Sequence, residues 1–127
     1  SSHRHTFMSE KQQAQIVEKA VTWIEERLFT EVRADLGSYE QPQGYLWNDG
    51  RAELRPDLTA RRNGRKSYFE IATKSDDGEK TAREWKLLRR LADLKDGQLY
   101  LFMPEGHRSF THRLIREHDI KAQLVKI

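Results

Sequence analysis

The sequence predicts an α/β domain: a central mixed β-sheet flanked by helices, with elements in the order α-β-β-β-α-β-α-β. Three observations lead there. An amphipathic helical pattern opens the chain. Short alternating segments joined by turn residues fill its middle. Helical and apolar strand patterns then alternate to the end, which implies crossover connections. Taken in order, Ser9 with Gln12 three residues on is a capping-box signature. Ile16, Val17, Ala20, Val21, Ile24 and Leu28 follow at helical spacing, with Gly37 as terminator. Gly44 to Trp47 reads as a short strand, and Asn48-Asp49-Gly50 turns into the next. Strands 54–61 and 67–74 form a hairpin around Asn63-Gly64. After the break Ser75-Asp76-Asp77-Gly78, a helix over 79–95 turns Ala82, Trp85, Leu88, Leu91 and Ala92 inward. Gln98 to Met103 is an apolar strand closed by Pro104-Glu105-Gly106. A helix over 107–118 carries Phe110, Leu114 and Ile115, and 120–127 ends the chain as a strand.

The chain has 127 residues, 34% charged and 36% hydrophobic, enough for one real core and outside the disordered class. Residues 1–8 read as a disordered start or an expression remnant, and 9–127 as a single domain. There is no cysteine, which excludes disulfides and thiolate zinc sites and fits a cytoplasmic setting. No apolar run approaches the roughly 18 residues of a membrane span. The net charge of +3 says little, but six basic residues between Arg51 and Lys66 stand against Glu53 and Asp57. Positive charge is thus expected on and around the hairpin.

The hairpin carries the chemistry. With Asn63 and Gly64 central, Arg62 faces Arg65, Thr59 faces Tyr68, Asp57 faces Glu70, Arg55 faces Ala72 and Glu53 faces Lys74. Leu58, Phe69, Pro56 and Ile71 take the other face, the expected core. Directly opposed like charges destabilise a sheet. Asp57 and Glu70 can therefore coexist only with a shared proton or a cation between them, and a divalent metal is the sharper reading. The blander reading neutralises Glu70 with Arg55 or Lys74, and pairs Lys74 with Glu53. His107, His112 and His118 have poor spacing for one helical face and read as ordinary helix residues.

Pro56-Asp57 followed by Glu70 on the next strand resembles the PD-(D/E)XK nuclease superfamily, the restriction-endonuclease-like fold. The chain departs from the motif at Ala72, where the lysine belongs; Lys74 lies two residues on. The resemblance implies Mg²⁺ or Mn²⁺ held by Asp57, Glu70 and the carbonyl of Ile71. A first-helix glutamate would join them, Glu25 first and Glu18 second. Lys74 or Arg55 would stand in for the catalytic lysine, and Ala72→Lys would restore activity, position 72 being read as away from the core. Nucleic acid, most simply DNA, would lie on Arg61, Arg62, Arg65 and Lys66, with Lys86 or Arg90 lining a groove and Tyr68 stacking on a base. Trp47 would pack. Restriction-type enzymes often act as dimers, so a homodimer is implied too. The resulting expectation is a weak metal-dependent DNA hydrolase. Its alternative is a catalytically degenerate nuclease-fold module that binds nucleic acid or a partner protein.

Overall fold

The computed structural model describes residues 8–127; the expected disordered start lies, as far as Phe7, outside them. Helix α1 spans Glu10–Glu26 and opens on Ser9, whose side chain and that of Gln12 close the expected capping box. It stops well short of Gly37. Leu28 turns left-handed at φ 65°, as a C-terminal glycine commonly would, and the chain enters strand β1 at Thr30–Ala34. Leu28, expected inside, is 80% exposed. A second departure lies at Pro56. Strands β2 (Tyr45–Trp47) and β3 (Ala52–Leu54) form their own two-stranded sheet, and β4 begins only at Leu58, running to Arg62. Proline offers no N–H to continue a ladder, so the single strand expected over 54–61 divides there. The order is α-β-β-β-β-β-α-β-α-β.

The hairpin register is the expected one. Strand β5 (Arg65–Ile71) pairs antiparallel with β4, Arg62 opposite Arg65 and Thr59 opposite Tyr68. Asn63 and Gly64 both have positive φ, 54° and 76°, the tight-turn geometry that matches strand twist. Helix α2 (Gly78–Leu94) leads to β6 (Leu99–Met103), and α3 (Arg108–His118) to β7 (Gln123–Lys126). The five-stranded sheet has the order β1-β4-β5-β6-β7, antiparallel from β1 to β5 and parallel from β5 to β7.

Both faces of this sheet are covered. Ala20, Val21 and Ile24 of α1 pack on Leu58, Phe69, Ile71 and Phe102. On the other face Trp85 and Leu88 of α2 and Phe110 and Leu114 of α3 pack on Tyr68, Ala72 and Leu101. The carboxylate-bearing face is therefore also core, and Ala72 is 0% exposed. Lysine at position 72 would invade that core, contrary to the sequence reading.

The topology sorts the molecule into two ends. Strands β5, β6 and β7 all start at the hairpin-tip end, and α2 and α3 both return to it. Thr30 pairs with Arg61, so α1 also terminates there. The opposite end gathers the helix N-termini with Glu70 and Ile71, the last residues of β5. Gly97, in the turn from α2 into β6, passes so close to β5 that a Cβ would overlap the Lys66 carbonyl.

Candidate functional site

The β4–β5 ladder ends at Leu58 opposite Phe69, and Asp57 and Glu70 stand one step beyond. There side chains take over from backbone. The Asp57 N–H donates to Glu70 Oε1 at 3.0 Å, and the Ile71 N–H donates to Asp57 Oδ2 at 2.8 Å. The sequence pairing is thus realised as two carboxylates that each accept a backbone N–H from the opposite strand. Glu70 is 6% exposed.

Asp57 lines a cleft of about 520 Å³ with Glu10 and Gln13 of α1, Asp35, Arg55 and Ile71. Glu10 and Asp35 were not singled out by sequence. Their approach depends on which end of α1 meets the carboxylates, and no periodicity encodes that. Glu25, the expected first-helix ligand, belongs to the far half of α1, where its Oε2 accepts from the Tyr39 hydroxyl at 3.0 Å. That bond raises the pKa of Tyr39. Glu18 lines a different hollow, with Trp23 and Ile127.

Neither stand-in cation is placed as the register suggested. Arg55 donates to the Pro42 carbonyl and pairs with Glu53 at 3.6 Å. Glu53 itself sits opposite Leu46 in the small sheet. Lys74 has left β5, which ends at Ile71, and its side chain is exposed. Its backbone N–H donates to Nδ1 of His107 at 2.9 Å. His107 is buried at the N-cap of α3. Burial first, then the charge of Lys74, hold its pKa below the ordinary 6.5.

Tyr68, expected to meet a base, is 0% exposed. Its hydroxyl lies 3.3 Å from that of Tyr45, which also accepts from Lys66 Nζ at 3.2 Å. Lys66 is buried, its ammonium over both rings, so it is absent from the exposed basic turn. Burial and donation to Tyr45 raise the pKa of Tyr68. At Tyr45 burial works upward, but the hydrogen bonds from Tyr68 and Lys66 and the lysine charge outweigh it, and the pKa falls. Trp47 packs against this core as expected.

Arg61, Arg62 and Arg65 do surround the hairpin tip. Arg61 pairs with Glu31 at 3.6 Å and Arg65 with Asp96 at 3.3 Å, while Arg62 lies 4.1 Å over Phe29. They are not around the carboxylates: from Arg65 to Glu70 along β5 is roughly 16 Å at about 3.3 Å per residue. Lys86 and Arg90 line a groove of about 550 Å³ between the last turns of α2 and the exit of α3.

Among the described residues no group of three His, Cys, Asp or Glu side chains gathers as a metal would require. Asp57 and Glu70 each accept a backbone N–H, and nothing in this arrangement of the described residues positively indicates a metal site. Among the described residues no helix is long and apolar enough to cross a membrane. No family model, curated protein or solved structure matches the chain. What stands is an α/β sandwich with a mixed central sheet and flanking helices.

Proposed function

We propose that this chain is a nuclease-fold module that binds nucleic acid without hydrolysing it. The observation that carries the reading is the state of the carboxylate pair. Asp57 and Glu70 adjoin across the hairpin, as the resemblance to the restriction-endonuclease-like pattern would have them. However, each accepts a backbone N–H across the hairpin, and the lysine position holds a fully buried alanine. A catalytic cation must sit where transition-state charge develops, and losing one such donor typically costs about 10²–10³ in rate. The pair serves here as a structural clasp. Binding is supported by the arginines of the hairpin tip, which lie on a side chain's reach of solvent with Asn63-Gly64 between them.

The test is the affinity of a labelled DNA duplex, followed by anisotropy across a salt series, in EDTA and in Mg²⁺. Binding that weakens steeply with salt and is the same in both buffers supports the module, because released counterions set the slope. Absence of binding at low salt contradicts it. A second reading, metal-dependent hydrolysis, is favoured by the juxtaposition of Asp57 with Glu70. It requires plasmid nicking in Mg²⁺ or Mn²⁺ that disappears in Asp57→Ala.

A further inference from the structure

We infer that the phosphodiester backbone of the bound nucleic acid lies in the groove between the C-terminal turns of α2 and α3, at the end of the sheet remote from Asp57 and Glu70. The inference rests on the nucleic-acid reading above and gives it a surface.

The groove, of about 550 Å³, is lined by Lys86, Arg89, Arg90, Asp93, His118 and Lys121, together with the exposed Asp119 and the buried Ile120. Its acids do not cancel its bases. Arg89 holds Asp93 at 2.7 Å and also donates to Gln98 at 3.0 Å, so that pair is internally neutral. Lys86, Arg90 and Lys121 then remain against Asp119 alone, and no ion pair engages those three among the described residues. Beyond the end of α2 lies the hairpin tip. Asp96, just after α2, holds Arg65 at 3.3 Å, and Arg62 reaches from the other side of the turn to the carbonyl of Arg27 at the end of α1.

The carboxylate end is mixed in charge. Glu10, Asp35, Asp57, Asp76, Asp77 and Glu79 lie toward it, at the starts of α1 and α2 and in the cleft, with Lys11, Arg55, Lys74 and Lys80 among them. Helix N-termini also point that way, but each contributes only about half a positive charge, confined to its first turn. Full side-chain charges weigh more than these, and the excess of acids makes that end the poorer seat for a polyanion than the groove. Placement there also explains how a fold bearing this carboxylate pair binds nucleic acid without cleaving it.

The experiment compares three proteins by anisotropy with one labelled duplex in EDTA across a salt series. They are the parent, a variant with Lys86→Gln, Arg90→Gln and Lys121→Gln, and a charge-matched variant with Lys11→Gln, Lys19→Gln and Lys80→Gln. Circular dichroism establishes that each is folded. The groove variant is expected to lose at least about tenfold in affinity and to show a shallower salt slope, by about 0.9 per phosphate contact removed. The charge-matched variant is expected to stay within about twofold of the parent. Equal losses in both variants would mean net charge alone and would overturn the groove. Parent-like binding by the groove variant would overturn the groove and leave nucleic-acid binding standing. No binding by the parent would overturn both.

Discussion

Asp57 stands where the backbone ladder of the hairpin stops and side chains continue it. Its Oδ2 satisfies the N–H of Ile71, a buried residue. Removing the acceptor exposes the full cost of a buried unpaired donor, about 1–3 kcal/mol. Asp57→Ala should therefore lower stability by that amount in urea unfolding. Asp57→Asn, which keeps a carbonyl oxygen in reach, should lose less than half as much. Equal stability of parent and alanine variant would contradict the clasp. His107 offers a second test. Its Nδ1 accepts the Lys74 N–H, so that nitrogen must carry no proton, and burial with the Lys74 charge lowers its pKa from 6.5. The unfolded ring takes a proton near 6.5 while the native ring resists. The stability His107 supports is therefore complete above 6.5 and declines as pH falls below it, through the lowered native value. His107→Asn keeps an acceptor that does not titrate. Its urea midpoint should fall less than the parent's between about pH 7 and pH 5; parallel curves would remove His107 from the account.

Helix α1 shows what local pattern encodes and what it does not. Its start was legible because the capping box of Ser9 and Gln12 is a short-range device. Its end was not, because Leu28 continues the apolar spacing and yet adopts φ 65° with its side chain 80% exposed. A left-handed leucine costs roughly 1–2 kcal/mol, and glycine would adopt the same backbone freely. Leu28→Gly should accordingly raise stability by roughly 0.5–1 kcal/mol once the entropy of glycine in the unfolded chain is offset, read as a higher thermal midpoint. A lowered midpoint would show that the exposed side chain makes a stabilising contact. The hairpin register, by contrast, was readable to the residue, since Asn63-Gly64 fixes the turn and the period of two fixes everything it joins. Pro56 then cut the extrapolation short. Arg55 and Glu53 left the sheet for the loop and the small hairpin, taking the expected partners of Ala72 and Lys74 with them.

Across the whole molecule, the alternation of helices and strands was enough to place parallel strands and crossover helices from β5 onward. Alternation could not tell that the carboxylate-bearing face is also buried, because α2 and α3 cover it only once the chain has folded back. For that reason Tyr68 and Lys66, which look like surface residues in the sequence, sit inside, and Glu25 ends at the wrong end of α1. The same folding back separates two features that adjoin in sequence, the basic turn and the carboxylate pair, to opposite ends of β5. Nucleic acid held at the basic end without metal would leave a signature along the backbone. That signature is read most directly from backbone amide chemical shifts of the isotope-labelled chain titrated with a short DNA duplex in EDTA. Saturable shifts are expected at Arg62, Arg65, Lys86, Arg90 and Lys121, with the amides of Asp57, Glu70 and Ile71 unmoved. Shifts centred on Asp57, Glu70 and Ile71, or shifts that appear only when Mg²⁺ replaces EDTA, would contradict metal-free binding at the basic end.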